Sequence, residues 1–148
     1  MEKHFATAVY VYNPTIDKFL FINHKKIQKW LQPGGHIEKN ENPEDCAVRE
    51  VLEETNLKVK LVGKRLPRET DLIRPFGLQL NVIKEGHEHF DLIYLAVTNE
   101  VEFKLNEQET TGISWFSKDE IVSDSFDTFA AQKSWVIYFS DNIEEILK

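Results

Sequence analysis

The segment GHIEKNENPEDCAVREVLEETNL, residues 35–57, decides the fold, because it contains the best helix start in the chain. Asn42 is a good N-cap, Pro43 suits the first helical position, and Glu44 and Asp45 suit the positive end of the helix dipole. Asn56 tolerates the left-handed conformation that ends many helices, and Lys58-Val59-Lys60-Leu61-Val62 then alternates like a strand. The thirteen residues 43–55 are therefore predicted to be helical. On a wheel of about 100° per residue with Glu50 at zero, Glu54 lies at about 40° and Glu53 at about 300°, so three carboxylates share one side. Val48, Val51, Leu52 and Thr55 fall at about 100–200° and are expected to face the core.

Acids three and four residues apart repel by roughly 0.2–0.5 kcal/mol per pair on an isolated helix. A hard divalent cation would offset that cost, because Mg²⁺ takes oxygen ligands and is usually held by one or two carboxylates together with substrate phosphates. Arg49, four residues before Glu53, can neutralise and orient one acid while the others face the metal. The competing reading is a solvated acidic helix face. Pro33-Gly34-Gly35 weighs against it, since a backbone that bends sharply and approaches a ligand closely stands just before the acids.

Outward from this segment, Phe5 to Tyr12 and Lys18 to Asn23 are β-branched and aromatic runs separated by Asn13-Pro14 and Asp17, a hairpin signal. Residues 25–41 read as a loop. Further strands are expected at Gly77 to Ile83, His89 to Val97 and Gly112 to Phe116, the second apolar on both faces and therefore central. Phe129, Val136, Phe139, Ile143, Ile146 and Leu147 recur at helical spacings and predict a C-terminal amphipathic helix packed on the sheet. Strands, helix, strands, helix favour an α+β layered fold.

The chain has 148 residues, with 25 acidic and 18 basic side chains and a net charge of −7. That balance argues against DNA wrapping, which needs a basic surface. No repeat, low-complexity tract or Gly/Ser linker divides the chain, so residues 1–148 read as one domain. Folding at this length buries roughly two-thirds of the unfolded surface, enough for a core without staples. Cys46 is the single cysteine and has no partner for an intrachain disulfide. The amino terminus lacks the pattern of a secretory leader, and no stretch is apolar enough to span a membrane, so a cytoplasmic location is expected.

In Gly35, Glu41, Arg49, Glu50, Val51, Glu53, Glu54 and Leu57 the sequence resembles the Nudix (MutT-like) hydrolase family. The family signature is Gly, five residues, Glu, seven residues, Arg-Glu, an aliphatic residue, any residue, Glu-Glu, any residue, Gly and an aliphatic residue. Six identities at fixed spacing would arise by chance about once in ten million windows. The departure is Asn56 where the family has Gly, and Asn is the next most tolerant residue for a left-handed cap. Outside the signature, residues 30–38 resemble the strand and turn that precede it in many bacterial members, and Trp115-Phe116 resembles the late turn into a helix. The resemblance implies an α/β/α sandwich around a mixed sheet.

It also implies Mg²⁺- or Mn²⁺-dependent hydrolysis of a nucleoside diphosphate linked to another group. By resemblance Glu50 and Glu54 are metal ligands, Glu53 is a ligand or the proton acceptor, and the Gly35 carbonyl completes the coordination. Glu41 orients Arg49, caps the helix or touches metal. Glu107 and Glu109 are candidates for a later acid, against the reading of solvated loop acids. For substrate contact, Trp30 is a candidate to stack on a base or to lie in the core. Arg65 and Arg68 sit in a basic loop that either reaches a phosphate or is merely solvated. His87, His89 and Asp91 alternate toward one strand face, as a substrate wall, a polar patch or a transition-metal site. His24 and His36 read as solvent-exposed. The implied partner is a nucleotide-derived small molecule, drawn from ADP-ribose, nucleoside triphosphates, dinucleoside polyphosphates or the 5′ end of RNA. A catalytically silent nucleotide-binding module is the alternative, and the oligomeric state, a homodimer included, stays open.

Overall fold

The structure, a computed structural model of the chain, describes residues 2–84, 86–108 and 110–148, with backbone alone for 2 and 82–84. In chain order the elements are β1 (Glu2–Asn13), β2 (Lys18–His24), β3 (Trp30–Leu31), β4 (Gly34–His36), α1 (Pro43–Thr55), β5 (Lys60–Val62), β6 (Gly77–Lys84), β7 (His87–Val97), β8 (Thr110–Phe116), α2 (Lys118–Val122) and α3 (Ala130–Ile146). The eight strands form one mixed sheet. β7 is central as its two apolar faces predict, pairing in parallel with β1 along its whole length and antiparallel with β5 and β6.

β1 has two partners on its other side. Val11 to Asn13 pair with β2, whereas Ala6 to Ala8 pair with β4, so the sheet forks where β2 leaves β1. Residues 25–41, read from composition as loop, supply the two short strands β3 and β4, and β4 is what fills the fork. Pairing this brief leaves little periodicity in the sequence, so the strands emerge only once β1 and β2 offer free edges.

Side chains alternate across β1. Ala8, Tyr10 and Tyr12 join Phe21, Leu95, Val136 and Phe139 on the side covered by α2 and α3. Val9 and Val11 join Leu20, Ala47, Val51 and Tyr94 on the side covered by α1. Helices therefore cover both faces of the sheet, as the α/β/α expectation requires.

α1 begins and ends where its caps dictate. The Asn42 side chain accepts the Asp45 N–H at 2.9 Å, and Asn56 closes the helix at φ 63°, its N–H donating to the Leu52 carbonyl at 2.8 Å. The buried arc is rotated from the predicted one. Leu52 is 40% exposed and Val48 only half-buried, while Cys46, Ala47, Val51, Thr55 and even Glu54 are buried. Small side chains at 46 and 47 let the helix lie close to the sheet on that side. Glu54 can be buried there because a backbone N–H meets its carboxylate.

Candidate active site

Glu54 is 4% exposed, and its Oε1 accepts the Gly34 N–H at 2.9 Å. Glu50 lies against Gly35 so closely that a Cβ there would sit 2.5 Å from the Glu50 carboxyl carbon. At Gly34 a Cβ would meet the Thr7 carbonyl oxygen at 2.0 Å. Gly34 is thus required by its close approach to β1, whereas a Cβ at residue 35 would force the end of the Glu50 side chain to move. The Gly35 carbonyl accepts a weak bond from the Cys46 thiol at 3.6 Å. Burial pushes that thiol up to about 11, so Cys46 stays protonated and serves as packing.

Arg49 organises the cluster. Its Nε and Nη2 grip Glu41 at 2.6 and 2.9 Å, Nη1 reaches Glu50 at 2.9 Å and Glu53 at 3.2 Å, and Nη2 also donates to the His36 carbonyl at 3.1 Å. Of the roles open to Glu41, this geometry selects orientation of Arg49. The paired guanidinium holds the Glu41 carboxyl down to about 2, and the Arg49 pKa is raised in turn. The Glu53 side chain is 56% exposed, in contrast to 14% for Glu50.

Gly34, Gly35, Glu50 and Glu54 line a cleft of about 950 Å³ at the fork of the sheet. Gln79, Asn81, Asp91 and Gln132 supply a polar wall. Asn81 donates to Asp91, whose pKa burial raises against the pull of that bond. Gln79 and Asn81 alternate with Leu78 and Leu80 in β6, and that alternation is the signal by which this wall could have been found. The loop before β8 runs beside the end of α1, where the Lys104 N–H donates to the Thr55 carbonyl at 2.9 Å, and Gln108 reaches the cleft.

The fold brings Gly35, Arg49, Glu50, Glu53 and Glu54 together. Of the other described candidates, His89 and Asp91 line the same cleft. Trp30 packs edge-on against Phe116 with centroids 4.9 Å apart and stacks with Phe126 at 6.1 Å, half-buried against the core, and it does not line the cleft. Arg65 is paired with Glu44 at the start of α1 and Arg68 with Asp71 at 3.8 Å, and neither lines the cleft. Their loop is tied back by Glu44, which also accepts the Ile73 N–H at 2.9 Å. His89 lines the cleft and His87 does not. His36 is exposed, as expected, but its ring joins a histidine cluster with His4, His87 and His89. Glu109 lies outside the described residues, and Glu107 is exposed.

The donor set fits a hard dication. Glu50 and Glu54 offer only oxygen, both are fixed in place by Arg49 or a backbone N–H, and the glycine at 35 leaves space that any Cβ would fill.

The solved structure of a NUDIX-family hydrolase from Clostridium perfringens superposes with a TM-score of 0.78 at 28% identity, covering 97% of this chain and 98% of the other. A C. elegans Ap4A hydrolase shares the fold, with a TM-score of 0.75 at 18% identity over 96% of this chain and 98% of that one. A Lactococcus lactis protein named "Probable DHNTP pyrophosphohydrolase" is 40% identical over 92 residues, which is 62% of this chain and 53% of the relative, so the match spans about half of that protein's length. The NUDIX domain matches residues 2–138, nearly the whole chain, and with its acid-bearing helix seated on the Gly34-Gly35 turn the chain belongs to the Nudix family.

Proposed function

We propose that the protein hydrolyses a phosphoanhydride bond in a nucleoside diphosphate linked to another group, with Mg²⁺ or Mn²⁺ held by Glu50 and Glu54 and completed by the Gly35 carbonyl. The observation that carries this reading is the pair of shielded carboxylates lining a cleft of about 950 Å³, large enough for a nucleotide. When bound, the dication would neutralise the diphosphate charge that a carboxylate cluster otherwise repels. Arg49 Nη1 bridges Glu50 and Glu53 and offsets the repulsion between the two carboxylates. Glu53, the acid of the three most open to solvent, accepts the proton of the attacking water. The polar wall of Gln79, Asn81, Asp91 and Gln132 offers donors and acceptors to a base edge, which supports a purine-like or pterin-like group in the substrate.

The test is release of phosphate, pyrophosphate or nucleotide from a panel containing DHNTP, 8-oxo-dGTP, Ap4A, ADP-ribose and 5′-triphosphorylated RNA, with either metal. Turnover that falls in both Glu53→Gln and Glu54→Gln supports the assignment, and turnover unchanged in both removes it. Nucleotide binding by calorimetry with no hydrolysis under any metal would leave a catalytically silent binding module instead.

A further inference from the structure

Four of the five histidines in the chain meet at one place, although they lie as far apart in sequence as residues 4 and 89. Strand register explains how. In the parallel pairing of β1 with β7, His4 stands opposite His89, and on the other side of β1 His36 stands opposite Ala6. Side chains two residues apart on neighbouring strands share a face, so three strands each point imidazoles at a common point. The ring nitrogens of His36, His87 and His89 lie within 4.8 Å of one another. Nε2 of His36 and Nε2 of His89 are 2.7 Å apart, and the His4 ring stacks on His36 at 4.8 Å and lies 4.9 Å from His87.

We propose that His36, His87 and His89 bind one transition-metal dication of the zinc class, with the His4 ring packed against them, at a site distinct from the oxygen-donor cluster on α1. Tetrahedral Zn²⁺ with nitrogen ligands at about 2.0–2.1 Å sets those nitrogens about 3.3–3.4 Å apart. The nitrogen spacings of the three rings, from 2.7 Å up to 4.8 Å, bracket that value. All-imidazole coordination selects zinc, copper, nickel or cobalt and is poor for Mg²⁺, so the two sites would sort cations by donor chemistry. A carboxylate stands nearby, because Asp91 Oδ1 lies 4.0 Å from His89 Nδ1, just beyond hydrogen-bond distance, while Nε2 of the same ring faces His36. A carboxylate behind one ring nitrogen fixes the tautomer that leaves the other nitrogen to the metal. Such a site would tie β4 and β7 together beside the cleft, with His4 of β1 packed against it. Its occupancy would bear on the turn that carries Gly35, since the His36 carbonyl is held by Arg49.

Equilibrium dialysis of chelator-treated protein against Zn²⁺ in excess Mg²⁺, with Co²⁺ absorption as a report of ligand type, tests the proposal. One Zn²⁺ per chain is expected, together with a Co²⁺ spectrum of nitrogen ligation. Affinity should fall at least tenfold in the His87→Ala/His89→Ala protein and about tenfold in Asp91→Asn, and stay unchanged in Glu53→Gln/Glu54→Gln. If the double alanine variant does not fold, His89→Gln carries the same expectation. Zinc binding that is lost with the glutamates and kept without the histidines would overturn the proposal, as would no stoichiometric binding at all.

Discussion

The two ends of the Gly35-His36 dipeptide lead to two chemically opposite clusters. On the α1 side stand carboxylates and a guanidinium, charged and bonded into one network through Arg49. On the sheet side stand imidazoles. Burial and the neighbouring rings hold His89 down to about 4 and lower His36 as well, so these rings are neutral near pH 7. The acid cluster draws Arg49, Glu50, Glu53 and Glu54 from within two turns of one helix, whereas the histidine cluster draws on three strands. A cluster of the first kind is held by local geometry and fails when a central residue is removed. A cluster of the second kind exists only while the strand register does.

The largest expected effect is on chemistry at the acid end. Glu53→Gln should lower kcat by roughly 10²–10⁴-fold, the range for loss of a general base, with KM for the same substrate little changed. Steady-state kinetics on whichever compound of the panel turns over would check it. Gly35→Ala should come next, because the added methyl meets the Glu50 carboxyl and displaces it. A shift near 1 Å costs on the order of 10²-fold in rate, and the loss should appear in kcat together with weaker Mn²⁺ binding.

Arg49→Ala removes the partner of Glu41, Glu50 and Glu53 at once. Each charge-assisted bond is worth about 1.5–3 kcal/mol where shielded, and with the exposed Glu53 pair discounted a net loss of about 2 kcal/mol is expected in a urea titration. Arg49→Lys should recover less than half of it, since an ammonium cannot grip Glu41 with two parallel bonds.

The histidine end should respond to pH instead. His89 falls from its ordinary 6.5 to about 4 in the fold, so the unfolded chain binds the proton first as pH drops. The stability it contributes is present above pH 6.5 and is lost as pH falls toward about 4, with His4, His36, His87 and Asp91 as the groups facing it. Denaturation midpoints across that window should therefore decline, and His89→Gln should flatten the decline. The smallest effect is expected at the end of α1. Asn56→Gly relieves the mild cost of φ 63° and should change stability by no more than about 0.5 kcal/mol, read from the same titrations.

Much of the acid end was legible from sequence. The cap residues Asn42 and Asn56, the thirteen-residue helix and the convergence of Arg49, Glu50, Glu53 and Glu54 depend on offsets of a few residues, and the helix repeat converts such offsets into distances. The rotation of α1 was not legible. Leu52 looks like a core residue and Glu54 like a surface one, and the reverse arrangement depends on a backbone N–H from Gly34, twenty positions away. Trp30 likewise becomes a packing residue only because Phe116 and Phe126 arrive beside it.

By itself, then, the amino-acid order determined where the acid helix starts and stops, which strands are apolar on both faces, and which carboxylates share a side. These are short-range consequences of backbone geometry and solvent. The tertiary structure alone decided that β4 fills the fork beside β1, that Arg65 and Arg68 turn away from the cleft, and that four distant histidines meet. Those outcomes require strands from opposite ends of the chain to be in register, and no local pattern encodes that register.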